Sequence, residues 1–115
     1  MTTIYHNPRC AKSREGLEIL KASGEKFSVI LYLEDPPGKE KLMQLLKQLD
    51  LPPMALVRTG EAIWKERYKG MNLTEEELIS AMAEFPKLIE RPIVIKGNKA
   101  VIGRPPEKIR EFLNS

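Results

Sequence analysis

Residues 2–33, TTIYHNPRCAKSREGLEILKASGEKFSVILYL, decide the fold. Thr2 to Tyr5 is a short β-prone run, and the polar turn His6-Asn7-Pro8-Arg9 ends it. Leu17 and Leu20, with Ala11, Ile19 and Ala22 alongside, then give a helical face that stops at Gly24, a residue suited to the position just past a helix. Phe27 to Leu33 is nearly continuously apolar, as a strand buried on both faces would be. Strand, helix and strand make a βαβ unit, which is parallel and almost always right-handed.

Downstream, Pro36-Pro37-Gly38 breaks the chain, and Leu42, Leu45, Leu46 and Leu49 follow at helical spacing. Pro52-Pro53 breaks it again. Met54 to Gly70 reads as short helical pieces carrying Trp64. Thr74 opens a capping box with Glu77, and Leu78, Ile79 and Met82 form the buried face of a helix that Pro86 stops. Pro92–Ile95 and Ala100–Ile102 are short β runs, joined through a Gly97-Asn98 turn suited to a hairpin. Pro105 fits a helix start, and Ile109, Phe112 and Leu113 give the last helix its apolar face.

The order is therefore β-α-β, a helical insert over about residues 38–90, then β-β-α. It describes an α/β fold with a four-stranded mixed sheet flanked by helices, the thioredoxin-like architecture, as one domain over residues 1–115. Arg91-Pro92 opens a strand in that scheme. A proline there is a candidate for a cis peptide bond, and the isomer stays open at this point.

Composition narrows the function. Apolar residues make up 42% and charged residues 30%, an ordinary globular balance. The longest apolar run, Val29 to Leu33, is far short of the roughly 20 residues that cross a bilayer. The N-terminus lacks the layout of a secretory signal, so the cytoplasm is the expected compartment and no membrane is involved. Net charge is only +3, with basic residues interleaved among sixteen acids and aromatics at 6%. That pattern argues against a nucleic-acid surface, which gathers its cations on one face, and suits a small anion better.

Cys10 is the single cysteine, so no internal disulfide forms. It stands in a polar turn beside Arg9, Lys12 and Arg14, at the start of the first helix and at the carboxyl edge of the sheet, where open α/β folds place ligands. There the helix dipole, free backbone N–H groups and nearby cations stabilise a thiolate, and only the thiolate is nucleophilic. A cysteine used for packing would have Leu or Val as neighbours instead. For Arg9, Lys12 and Arg14 singly, a solvated helix face is as good a reading as a functional one. His6 is either a strand-end residue or a group that tunes the thiol. One Cys and one His cannot fill a zinc shell, so no metal site is expected. Ser13 occupies the position where a two-cysteine redox centre would have its second thiol, so any resolving thiol comes from another molecule.

YHNPRCAKSR (residues 5–14), ILYLEDPP (30–37), ALVR (55–58), LIERPIVI (88–95) and IGRPP (102–106) together resemble the glutaredoxin-dependent arsenate reductase family, over nearly the whole chain. The resemblance implies that Cys10 attacks arsenate and that Arg58, Arg91 and Arg104 hold the oxyanion. His6 would help lower the thiol pKa, with Ser13, Arg14 and Pro92 in support. It also implies glutathione as co-substrate, glutaredoxin as partner and no tightly bound cofactor. The chemistry is coherent, because guanidinium forks bind tetrahedral oxyanions bidentately and offset the repulsion between a thiolate and a dianion. The implied course is a cysteinyl thio-arsenate, then a mixed Cys–arsenic–glutathione species, then release of arsenite by glutaredoxin. Two other readings remain: a glutathione-linked thiol oxidoreductase with another substrate, and a non-enzymatic regulator of the Spx type. Ser13 in place of a second cysteine weighs against the latter.

Overall fold

The computed structural model describes residues 2–114 and divides into two compact units, one made of residues up to Asp35 and from Arg91 onward, the other of Pro36–Glu90. The first unit carries the sheet: β1 (Thr2–Tyr5), α1 (Ala11–Ala22), β2 (Phe27–Ile30), β3 (Ile93–Lys96), β4 (Lys99–Ile102) and α5 (Glu107–Leu113). Strand order is β2-β1-β3-β4. β1 runs parallel to β2 and antiparallel to β3, and β3 runs antiparallel to β4. This is the expected four-stranded mixed sheet, and the fold is thioredoxin-like α/β.

Ile4, Leu20, Val94 and Ile109 form the fully buried centre of this unit, with Leu17, Phe27, Val101 and Phe112 packed around them. Each comes from a different element, so burying them fixes α1 and α5 on the sheet. The hairpin turn falls at Gly97, whose φ of +64° favours glycine. Arg91-Pro92 and Arg104-Pro105 are both cis.

One expectation fails. β2 is not buried on both faces: it is the outer strand of the sheet, Ser28 and Val29 are exposed, and regular pairing ends at Ile30. The apolar letters continue, but Leu31 and Leu33 stand exposed in a turn while Tyr32 between them is buried, stacked on Tyr5 at 6.5 Å. An unbroken apolar run resembles a central strand, yet here only alternate residues have something to pack on.

The second unit is helical: α2 (Lys39–Leu49), α3 (Ala62–Arg67) and α4 (Glu75–Glu84), with single 3-10 turns at Pro53–Leu56 and Pro86–Leu88. Leu42, Leu45, Leu46 and Leu49 are buried as the spacing predicts, together with Leu56, Trp64, Met82 and Leu88. The capping box forms: Thr74 N donates to Glu77 Oε1 at 2.9 Å, and Glu77 N to Thr74 Oγ1 at 3.1 Å. A one-residue antiparallel bridge joins Val57 and Ile89. It lays Arg58 beside Glu90, and the guanidinium meets Glu90 Oε1 at 3.1 Å and Glu61 Oε2 at 3.3 Å.

Candidate active site

Cys10 is the N-cap of α1, in extended conformation (φ −96°, ψ 122°). Asn7 builds the approach to it. Its side-chain oxygen accepts from Arg9 N at 3.0 Å, its carbonyl accepts from Cys10 N at 3.0 Å, and its own N–H donates to Ser13 Oγ at 2.9 Å. Asn7 and Ser13 are both buried, so the bond between them forms away from water and holds the loop firmly.

The thiol is half-buried. Burial pushes its pKa up, but the Ser13 backbone N–H and the guanidiniums of Arg91 and Arg104 together outweigh that and leave it below the ordinary cysteine value. Cys10 makes no side-chain cap hydrogen bond, yet an N–H at that end of a helix still favours the charged form. Arg104 Nη1 lies 3.8 Å from Cys10 Sγ and donates to the Arg91 carbonyl at 3.2 Å. Arg91 is itself buried, 7% exposed, which strengthens its electrostatic hold on the sulfur.

Glycines make this approach possible. A Cβ on Gly16 would stand 2.8 Å from both Pro92 Cγ and Ile109 Cδ1. One on Gly103 would stand 2.6 Å from Ile109 Cδ1 and 3.0 Å from Pro92 Cγ. α1, the Pro92 turn and α5 thus close to distances only glycine permits, and Arg91 and Arg104 flank that contact on the chain. Sequence reading missed Gly16, Gly103 and Asn7. The one available signal was a glycine in mid-helix, which costs roughly 1 kcal/mol unless packing requires it.

The other expected residues fall as follows. His6 is buried, and its Nδ1 shares a 2.6 Å hydrogen bond with Ser13 Oγ. Burial, then the charges of Arg14 and Lys21, hold its pKa below the ordinary histidine value, so the ring is neutral at pH 7 and its link to the sulfur runs through Ser13. Arg14 Nη1 donates to the Pro8 carbonyl at 2.9 Å, bracing the loop. Lys12 forms an exposed pair with Glu15. Pro92 packs against Gly16 and Gly103 as described, and Arg58 belongs to the second unit, with the partners given above. Among the described residues no cluster of three or more His, Cys, Asp or Glu could hold a metal ion, and no helix is long and apolar enough to cross a membrane.

The fold and the site define a thioredoxin-like protein with one thiolate held against two guanidiniums. Comparison with known proteins is specific. The ArsC family model matches residues 5–112, and the chain belongs to the ArsC family. An arsenate reductase of Haemophilus influenzae is 41% identical over 112 residues, covering 96% of this chain and 97% of that one. YfgD of Escherichia coli K12, a protein without an assigned activity, is 49% identical over 96% of this chain and 94% of its own. The solved structure of an arsenate reductase from Vibrio cholerae superposes with a TM-score of 0.91 at 47% identity, over 96% of this chain and 95% of that one.

Proposed function

We propose that this protein is an arsenate reductase in which the Cys10 thiolate is the nucleophile and Arg91 and Arg104 hold the oxyanion. The observation that carries the reading is Arg104 Nη1 at 3.8 Å from Cys10 Sγ, with Arg91 buried beside it. Two cations fixed next to a thiolate lower the repulsion an incoming dianion meets, and they are in place before the reaction begins. Arg58 enters as the family's third arginine.

Cys10 sulfur attacks arsenic and an oxygen leaves as water, which gives a cysteinyl thio-arsenate with arsenic still As(V). The thiol of glutathione displaces a second oxygen and forms an As–S bond. Glutaredoxin then attacks the glutathione sulfur. The electron pair of that As–S bond stays on arsenic, which becomes As(III), and a glutathione–glutaredoxin disulfide forms. Water releases arsenite and returns Cys10 as the thiol. A chain with one cysteine needs both external thiols, and a reducing compartment such as the cytoplasm supplies them. Ser13, His6 and Arg14 act by holding the loop, and no tightly bound cofactor takes part.

The test is NADPH oxidation in a mixture of the protein, arsenate, glutathione, glutaredoxin and glutathione reductase. Arsenate-dependent consumption that disappears in Cys10→Ser is expected. Consumption independent of arsenate, or equal in the variant, would overturn the reading.

A further inference from the structure

We propose that the cavity between the Cys10 loop and the Leu31–Glu34 turn is a binding groove for the peptide body of glutathione, a reading that rests on the proposed function above. The cavity has a volume of about 480 Å³, within the range of small-molecule clefts of roughly 300–1,000 Å³. One wall is the loop segment from His6 to Arg9, which ends one residue before the thiol. The other is Leu31, Leu33 and Glu34.

The lining does not suit arsenate. A compact dianion gains nothing from aliphatic walls, and Glu34 would repel it. A γ-glutamyl tripeptide uses all of these features. It carries two carboxylates, one ammonium and an extended carbon skeleton. Arg9 offers a guanidinium fork for a carboxylate, Glu34 offers an acceptor for the ammonium, and Leu31 and Leu33 cover the methylenes. Both leucines are more than a third exposed, at 36% and 38%, although nothing in the strand they follow requires it. The two carbonyl-bonded amides behind them, Glu34 N and Asp35 N on Leu31 O at 2.9 Å each, keep the turn that presents them in shape. The groove gives the exposed apolar residues of ILYLEDPP a use. The charged ends fix the direction of the ligand in the groove, one wall of which is the loop that carries the nucleophile.

S-methylglutathione, which cannot react, serves as the probe in a titration of the full-length ¹⁵N-labelled protein followed by NMR. Saturable shifts are expected at the amides of Arg9, Leu31, Leu33 and Glu34. The double variant Arg9→Gln/Glu34→Gln, altered only at exposed side chains, should bind about fivefold more weakly, as two exposed ion pairs allow. The exposed α5 variant Lys108→Gln should bind as the parent does. Shifts absent from residues 31–34, equal binding by the double variant, or no saturable shift at all would each overturn the groove. Because the probe needs no arsenate, failure of arsenate turnover and failure of this groove give separate results.

Discussion

Arg104 Nη1 reaches both the Cys10 sulfur and the Arg91 carbonyl, so one nitrogen ties together three residues that lie far apart in sequence. Charge-assisted hydrogen bonds of this kind contribute about 1.5–3 kcal/mol each. Arg91→Gln or Arg104→Gln, placed in a Cys10→Ser background, is therefore expected to weaken arsenate binding by about tenfold to a hundredfold in isothermal titration. Arg110→Gln, on the exposed side of α5, should change it less than about twofold. Equal losses for all three would remove the case for a convergent pair. At this scale Cys10 was legible because its setting is local: a turn, a helix start and no aliphatic neighbours. The cations were legible only through the family pattern. Of the basic residues close to Cys10 in sequence, Arg14 bonds the Pro8 carbonyl and Lys12 pairs with Glu15. The arginines that touch the sulfur arrive through tertiary packing, which no spacing rule reports.

Elements were legible where their ends carry side-chain signals. The Thr74–Glu77 box and the leucine spacing of α2 are local patterns, and both elements form as expected. β2 was not, because hydrophobicity alone does not say whether a strand has neighbours on both sides. Gly16 shows the same limit inside α1. Alanine would improve helix propensity there by about 0.8–1.0 kcal/mol. Its Cβ, however, would meet the Pro92 ring and Ile109 at 2.8 Å, and overpacking of that kind costs about 1–3 kcal/mol. Pro92 is a ring in a buried turn and has little room to yield, so packing wins. Gly16→Ala should lower the urea midpoint, by about 1–2 kcal/mol in stability. A midpoint equal to or above the parent's would show that the contact between α1 and the Pro92 turn is loose.

For the molecule as a whole, the order of elements and a four-stranded mixed sheet were legible, and the strand order β2-β1-β3-β4 comes from the structure. The direction of the Cys10 shift was legible from its helix start, and that of His6 was not, since it depends on burial. Cys10 and His6 both have native pKa values below their ordinary ones, so the folded state binds fewer protons than the unfolded chain in both windows. Stability must then rise with pH in each. The thiolate's share is fully present above the unfolded cysteine value of about 8.5 and is lost as pH falls through the lower native value. His6 adds a second decline as pH falls below the unfolded histidine value of about 6.5. Urea unfolding across this range should show the upper slope in the parent and not in Cys10→Ser. A parent curve that is flat, or that falls with rising pH between the native thiol value and 8.5, would reverse the sign of the account.

The most direct measurement is the pH dependence of Cys10 alkylation by iodoacetamide. The predicted midpoint lies clearly below that of free cysteine, shifts upward in Arg91→Gln and in Arg104→Gln, and stays in place in Arg110→Gln. A parent midpoint near 8.5, or one that neither Arg91 nor Arg104 moves, would contradict a thiolate sustained by those two guanidiniums.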